Sequence, residues 1–138
     1  MIDRFDLWVI EDNPNDVELM RRALSRVKLD LRVEYFSEGL KPLELLNRTE
    51  TTIPRLILLD LKLPRVDGRE ILRRLRAHPK TKATPVVVLT SSQQDSDIRD
   101  CYVAGANSYL VKPVDFSKFA QSVETLGTYW LTLNTPPL

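Results

Sequence analysis

The chain has few cysteines, histidines and glycines and almost no net charge. Its 138 residues include one cysteine, one histidine and four glycines, and its formal net charge is +1. The single cysteine, Cys101, cannot form a disulfide within the chain and indicates a reducing compartment. The single histidine, His78, has no clustered partner with which to form a metal or catalytic site. The balanced charge gives no electrostatic basis for binding nucleic acid.

The chain also lacks a long apolar run. No such run approaches the roughly 20 residues that a membrane-spanning helix needs, and the N-terminal segment MIDRFDLWVIEDN interrupts its short apolar run with acids. We therefore expect neither a signal peptide nor a membrane anchor. The length suits one domain with one core. Together these features predict a soluble, cytoplasmic, single-domain protein.

Short apolar runs alternate along the chain with longer segments of helical period. Asn13 before Pro14 indicates the cap and first residue of one helix, Ser92 with Asp95 resembles a capping box, and Asp115 indicates the cap of the last helix. Strands are predicted over 5–11, 31–36, 57–60, 85–90 and 108–112, and helices over 14–27, 40–46, 68–77, 93–104 and 116–130. Five strands in strict alternation with helices predict an α/β fold whose parallel sheet carries helices on both faces.

Polar side chains stand where the apolar runs end. The first run ends in Glu11 and Asp12, the third in Asp60, the fourth in Thr90 and the fifth in Lys112. Parallel strands place their carboxyl ends on one edge of the sheet, where open α/β folds bind ligands. We therefore expect these side chains to converge at that edge.

The chemistry of this set favours phosphoryl transfer. Three crowded carboxylates repel one another unless a cation joins them or a proton is taken up. Mg²⁺ fits best, because it binds a few carboxylate oxygens and keeps waters that a phosphate can displace. With Lys112 as a cation for a phosphoryl oxygen and Thr90 as a hydroxyl donor, the set suits transfer of a phosphoryl group onto Asp60.

Each element also has a plainer interpretation. Glu11 and Asp12 could simply complement the N-terminus of the following helix. Lys112 before Pro113 is an ordinary strand exit. Asp60 is harder to explain in this way, because an apolar strand gains nothing from a carboxylate at its end. The placement of all these residues on consecutive strand ends favours function.

The segments VIEDNPND, LILLDLKLPRVDG, PVVVLTSS and AGANSYLVKP resemble, in order, the motifs of the receiver domain of two-component response regulators. The resemblance covers about residues 5–127. It implies the flavodoxin-like (βα)5 fold with strand order 2-1-3-4-5. It also implies a receiver domain over 1–128, followed by an apolar tail over 129–138.

The resemblance assigns a role to each matching residue. Asp60 becomes the phosphoacceptor, and Lys112 the lysine that binds the phosphoryl group. Thr90 and Tyr109 become the switch pair. Glu11, Asp12, Asp60 and the backbone carbonyl of Lys62 become the Mg²⁺ ligands. The family pattern further implies a cis bond before Pro113.

The implied function is acceptance of a phosphoryl group from a sensor histidine kinase, followed by a conformational switch and contacts with a downstream protein or phosphotransfer protein. The only catalysis expected is the domain's own phosphoryl transfer and dephosphorylation. The narrower resemblance is to small stand-alone regulators that partner bacterial phytochrome kinases. Trp130, Leu131 and Leu133 make the tail apolar, so we expect it to pack on its own domain or in a homodimer.

Other classes of function remain open at this point. An aspartyl-nucleophile phosphatase would place a second acid two positions after the nucleophile, where Lys62 stands. A flavodoxin-type binding module needs a glycine- and hydroxyl-rich loop after the first strand, whereas EDNPND would repel a phosphate. A receiver-like interaction module that works without phosphorylation would typically lack some of the acids or the lysine.

Overall fold

The computed structural model of the chain describes residues 4–137. The strands are β1 (Arg4–Ile10), β2 (Asp30–Phe36), β3 (Leu56–Leu59), β4 (Val86–Thr90) and β5 (Ser108–Val111). The helices are α1 (Pro14–Ser25), α2 (Leu40–Leu45), α3 (Gly68–Ala77), α4 (Asp95–Ala104) and α5 (Phe116–Thr128). A π-helical turn over Tyr129–Leu133 continues α5.

The five strands form one parallel sheet in the order β2-β1-β3-β4-β5. The predicted α/β fold and the strand order implied by the resemblance are both confirmed. The register pairs Ile10 with Leu59, and Leu59 with Val88. Strands β1 and β3 therefore end level with each other, so the residues that follow them emerge side by side. Strand β4 continues past Val88 to Thr90, which pairs with Val111 at the end of β5.

Alternate residues of the central strands enter cores on opposite faces of the sheet, as the two-residue period of a strand requires. On one face, Leu7 and Val9 of β1 pack with buried residues of α1 and α5. On the other face, Trp8 and Ile10 pack with buried residues of α3. All four residues of β3 are buried, which explains why its sequence is a continuous apolar run.

Hydrogen bonds at the helix ends confirm two predicted caps and correct a third. Asn13 accepts from the backbone of Asn15 and Asp16, and Asp115 accepts from that of Lys118. The capping box of Ser92 and Asp95 is wrong. Helix α4 begins at Asp95 after Gln94, which makes no side-chain cap bond.

The C-terminal part differs from the prediction in one further respect. Helix α5 ends at Thr128, and the following residues widen into the π-helical turn instead of continuing the helix to Trp130. Leu131 in this turn is buried in the core between the sheet and α1, with Trp130 packed against it. The cis bond expected before Pro113 is also wrong, since no peptide bond among residues 4–137 is cis. Within those residues, no helix is both long and apolar enough to cross a membrane.

Candidate functional site

The strand ends bring Glu11 and Asp60 to adjacent positions on the sheet edge. Each follows the last residue of its strand, and each is held by the ladder of the neighbouring strand. The backbone N–H of Glu11 donates to the carbonyl of Phe36 at 2.9 Å, and that of Asp60 donates to the carbonyl of Ile10 at 3.0 Å. Both side chains are nearly buried, with 2% and 7% exposure. Two carboxylates are thus fixed at the edge of an apolar core.

Lys112, directly after β5, bridges these acids. Its Nζ lies 2.5 Å from Glu11 Oε1, 2.8 Å from Asp16 Oδ2 and 3.3 Å from Asp60 Oδ2. Its backbone N–H donates to the carbonyl of Thr90 at 2.7 Å, which ties the lysine to the end of β4. A buried ammonium is stable only when it is paired and hydrogen-bonded, and three carboxylates meet that requirement here.

The burial of the site opposes its charges. Burial, together with the nearby Asp60 carboxylate, raises the pKa of Glu11 to about 7, although the hydrogen bond from Lys112 acts in the opposite direction. Burial also disfavours the ammonium of Lys112, but the hydrogen bonds to Asp16 and Glu11 outweigh it and raise the pKa of Lys112 above its usual range. The lysine therefore stays charged while the acids around it compete for a limited positive charge.

The acids can hold a metal ion. Glu11, Asp12 and Asp60 each offer a carboxylate oxygen, and these oxygens lie within 4.8 Å of one another. Asp12 is exposed, so one side of the cluster is open to water. Carboxylate oxygens with room for water are the ligands that hard divalent cations prefer. The donor set present in the chain therefore fits a divalent cation.

The cluster opens into a cavity of about 740 Å³. Asp12, Asp60, Lys62 and Lys112 line it, as does Asp16 of α1. The side chain of Lys62 is exposed. The cavity gives a small phosphorylated group access to the Asp60 carboxylate, beside the ammonium of Lys112.

Thr90 and Tyr109 lie on the β4 side of the site. Thr90 is fully buried, and its hydroxyl accepts a long hydrogen bond, 3.5 Å, from the backbone of Ser92. The Tyr109 hydroxyl donates to the carbonyl of the same Ser92 at 2.9 Å. Ser92 in turn donates to Asp97 of α4 at 2.5 Å. The loop after β4 thus connects both residues to the start of α4.

Sequence analysis missed two residues of this arrangement. Asp16 shares Lys112 with Glu11 and Asp60, and Ser92 joins Tyr109 to α4. No spacing rule marked Asp16, because its contact with Lys112 joins residues 96 positions apart and depends on how α1 lies against the sheet edge. The sequence marked Ser92 only as a helix cap, because its contacts with Thr90, Tyr109 and Asp97 depend on the course of the loop after β4, which the sequence does not specify.

Comparison with known families decides the assignment. The model of the response regulator receiver domain matches residues 7–124. The chain belongs to this family. It is therefore a receiver-domain protein of two-component phosphorelay signalling, and the fold expected from the resemblance is the one observed.

Three relatives illustrate the similarity. The chain is 39% identical to the probable methanogenesis regulatory protein FilR2 of Methanothrix harundinacea, over 98% of this chain and 89% of that protein. It is 32% identical to the response regulator Rcp1 of Synechocystis sp., over 95% of this chain and 92% of that one. The Mn²⁺-bound crystal structure of Rcp1 has a TM-score of 0.90 to this chain, covering 97% of this chain and 99% of that one at 31% identity. The phosphorylated cyanobacterial phytochrome response regulator RcpA has a TM-score of 0.93 at 32% identity, with 99% and 100% covered.

Proposed function

We propose that Asp60 accepts a phosphoryl group from a histidine kinase with the help of Mg²⁺. The observation that carries the proposal is the position of the Lys112 ammonium, 3.3 Å from Asp60 Oδ2, beside a cluster of acids and an open cavity. The Mn²⁺-bound structure of the relative Rcp1 supports the binding of a divalent ion. Mg²⁺ is the choice that the oxygen ligands favour, with Glu11, Asp12, Asp60 and the carbonyl of Lys62 as its ligands.

In the transfer step, one oxygen of the Asp60 carboxylate forms a bond to phosphorus. The bond from phosphorus to the imidazole nitrogen of the kinase breaks, and its electron pair returns to the ring, which then takes up a proton. Lys112 stabilises the charge on the phosphoryl oxygens, and the ladder bond to Ile10 fixes the backbone of the acceptor. The metal ion, when bound, neutralises charge on the phosphoryl oxygens. Hydrolysis of the acyl phosphate returns the domain to its resting state.

The switch is proposed to run from Thr90 to Tyr109. Reversing a population from 1:99 to 99:1 needs about 5.5 kcal/mol of differential stabilisation. Hydrogen bonds to charged groups contribute roughly 1.5–3 kcal/mol each, so two or three new bonds from Thr90 and Lys112 to the phosphoryl group suffice. The movement of Thr90 would draw the loop that holds Tyr109 through Ser92.

The direct test is to incubate the protein with Mg²⁺ and a small phosphodonor such as acetyl phosphate. The wild type is expected to gain one base-labile phosphoryl group, measured by intact mass. The Asp60→Asn variant, which keeps the shape of the side chain, is expected to gain none. Equal labelling of both variants would refute the assignment of Asp60. Sustained turnover of phosphate esters would instead indicate the phosphatase class.

The partner is proposed to be a sensor histidine kinase. Membership of the receiver family supports a kinase in general, and the likeness to the phytochrome response regulator RcpA supports a phytochrome kinase in particular. Phosphotransfer from a purified phytochrome kinase and from other purified histidine kinases would test this. Transfer from a phytochrome kinase at least as fast as from other histidine kinases is expected, and a strong preference for another kinase would contradict the narrower proposal.

The C-terminal segment is proposed to contribute to a homodimer. Leu131 is buried within its own domain, whereas Leu133 is 72% exposed and Tyr129 is 44% exposed. Tyr129 and Trp130 also line an open groove of about 620 Å³ beside α5. Exposed apolar surface of this kind favours association.

The output of the domain is proposed to be contacts of its phosphorylated state with a downstream protein.

Sedimentation over a dilution series tests the dimer. The variant Tyr129→Ser with Leu133→Ser removes exposed apolar surface and keeps Leu131 in the core. We expect the wild type to dissociate on dilution and the double variant to be monomeric at higher concentration. A wild type that stays monomeric throughout would refute the dimer.

A further inference from the structure

Asp16 contacts the lysine of the site although none of the roles described above uses it. It lies in the first turn of α1, and its Oδ2 atom is 2.8 Å from Lys112 Nζ. The side chains are only 22% and 10% exposed, so this is a largely desolvated pair. Charge-assisted hydrogen bonds of this kind are short and strong. The contact therefore restrains where the ammonium lies.

The ammonium has three donors, and three carboxylates receive them. The distances to Glu11 and Asp16 are 2.5 and 2.8 Å, and the distance to Asp60 is 3.3 Å. The two shorter bonds fix the position of Nζ. The longest and weakest bond is the one that points at the phosphoacceptor, so the donor in that bond is the easiest to transfer to a new acceptor.

Two of the three partners of Lys112 also belong to the acid cluster. Glu11 and Asp60 share their charge with a divalent cation when one is bound there, and Asp60 loses a charged oxygen when it is phosphorylated. Asp16 is not a member of that cluster of carboxylate oxygens. Its negative charge therefore remains available to Lys112 in every state of the cycle.

We propose that Asp16 is a positioning residue that holds the Lys112 ammonium beside Asp60, so that the donor facing Asp60 can transfer to a phosphoryl oxygen. This inference rests on the proposed function of Asp60. It differs from two simpler roles. A carboxylate that merely complements the N-terminus of α1 would not act through Lys112. A carboxylate that acts only as a charge would repel the phosphoryl group, and its removal would strengthen binding.

The test uses beryllofluoride, an analogue of the phosphoryl group, at saturating Mg²⁺. Loss of one charge-assisted hydrogen bond that orients the lysine is expected to weaken beryllofluoride binding by Asp16→Asn about tenfold. Glu18→Gln is the matched control, because the substitution removes the same charge from the same helix. Glu18 pairs with Arg22 at 3.1 Å and not with Lys112. The control variant is expected to bind like the wild type. The affinity of Asp16→Asn for Mg²⁺ alone is expected to stay close to that of the wild type, because Asp16 does not contact the metal ion in this proposal. An unchanged Mg²⁺ affinity would show that the site of the variant is folded.

The Lys112→Met background separates positioning from charge. If Asp16 acts through the lysine, Asp16→Asn has no further effect on beryllofluoride affinity once Lys112 is replaced. An unchanged or tighter affinity of Asp16→Asn in the wild-type background would overturn the proposal, as would an equal loss in the Lys112→Met background. Failure of the wild type itself to bind beryllofluoride would overturn the proposed function of Asp60 and this inference together. Binding by the wild type with no effect of Asp16→Asn would overturn this inference alone.

Discussion

Arg76 of α3 offers a direct test of how the segments that lead into β4 and β5, at the end of the sheet opposite the site, are kept in place. Its guanidinium donates to the carbonyls of Gly105, Thr84 and Thr81 at 2.8, 2.7 and 3.1 Å, and to Asn107 Oδ1 at 2.5 Å. Burial lowers the pKa of Arg76. The arginine thus joins the connection before β4 to the turn before β5, and neither segment has regular structure to stabilise it.

We expect Arg76→Met to lower the free energy of unfolding by about 3 kcal/mol. Methionine keeps most of the apolar stem and removes the guanidinium, so the change isolates its hydrogen bonds. The three shortest bonds, to Gly105, Thr84 and Asn107, are counted at about 1 kcal/mol each, because the guanidinium is only half-buried and water can reach some of the acceptors. Asn107 also accepts from the backbone of Val86 at 2.8 Å and so keeps one partner in the variant.

Urea unfolding monitored by tryptophan fluorescence measures this loss, with the slope of the transition held common between variants. Arg74→Met is the matched control on the same helix. Among the residues that the structure describes, Arg74 pairs only with Glu70, at 3.1 Å, and both side chains are about half exposed. Exposed pairs of this kind contribute about 0.2–1 kcal/mol. If Arg76→Met lost no more stability than Arg74→Met, the account of the guanidinium as the link between the two connections would be refuted.

Three further predictions concern the site and the core. A Cβ at Gly68 would lie 2.3 Å from the carbonyl oxygen of Asp60 and 2.7 Å from Leu61 Cα. Gly68→Ala is therefore expected to lower the free energy of unfolding in urea by about 1–3 kcal/mol and to slow labelling by acetyl phosphate. Wild-type values for both would show that the loop accommodates the methyl group without strain. On phosphorylation of the wild type, we expect NMR to detect a change in the Tyr109 ring signals; Thr90→Ala is expected to accept the phosphoryl group but to lose this change, and an unaltered change would contradict the switch. Burial raises the pKa of Cys101 to about 11. At pH 8, alkylation of Cys101 should therefore be far slower in the folded protein than in urea, and it should accelerate as the pH approaches 11. Equal rates in the folded and the unfolded protein would contradict the burial of Cys101.

The fold could be predicted from the sequence because the apolar runs and the capping residues lie where the structure has its buried strands and its helix ends. The apolar run at β3 is buried on both faces, and the caps at Asn13 and Asp115 form as their residue types indicate. The prediction failed where side-chain packing or a different hydrogen-bond partner decided the structure. Ser92 bonds to Asp97 instead of capping the helix with Asp95, and Leu131 is drawn into the core, where the helix widens into a π-helical turn.

For the site, the prediction succeeded where the sheet alone brings residues together and failed where the position of a helix decides the contact. The convergence of Glu11, Asp60 and Lys112 could be predicted, because a parallel sheet places strand ends together whatever lies between them in sequence. Asp16 could not, since its contact with Lys112 joins residues 96 positions apart and depends on how α1 leans over the sheet edge. Spacing rules within one helix or strand do not predict the orientation of α1 relative to the sheet.

The electrostatics of the resting site favour a fixed order of events. Four acids surround or adjoin one ammonium, because Asp12 and Asp60 join the two carboxylates that lie closest to Lys112. Such a site repels a phosphorylated donor until positive charge is added. The pKa of Glu11 is raised first by burial and then by the charge of Asp60, although the hydrogen bond from Lys112 lowers it. A divalent cation that bound first would remove this repulsion, and the phosphoryl group would then meet a site whose charge is nearly balanced. The surplus of acids is therefore a reason for the metal to enter before the phosphoryl group.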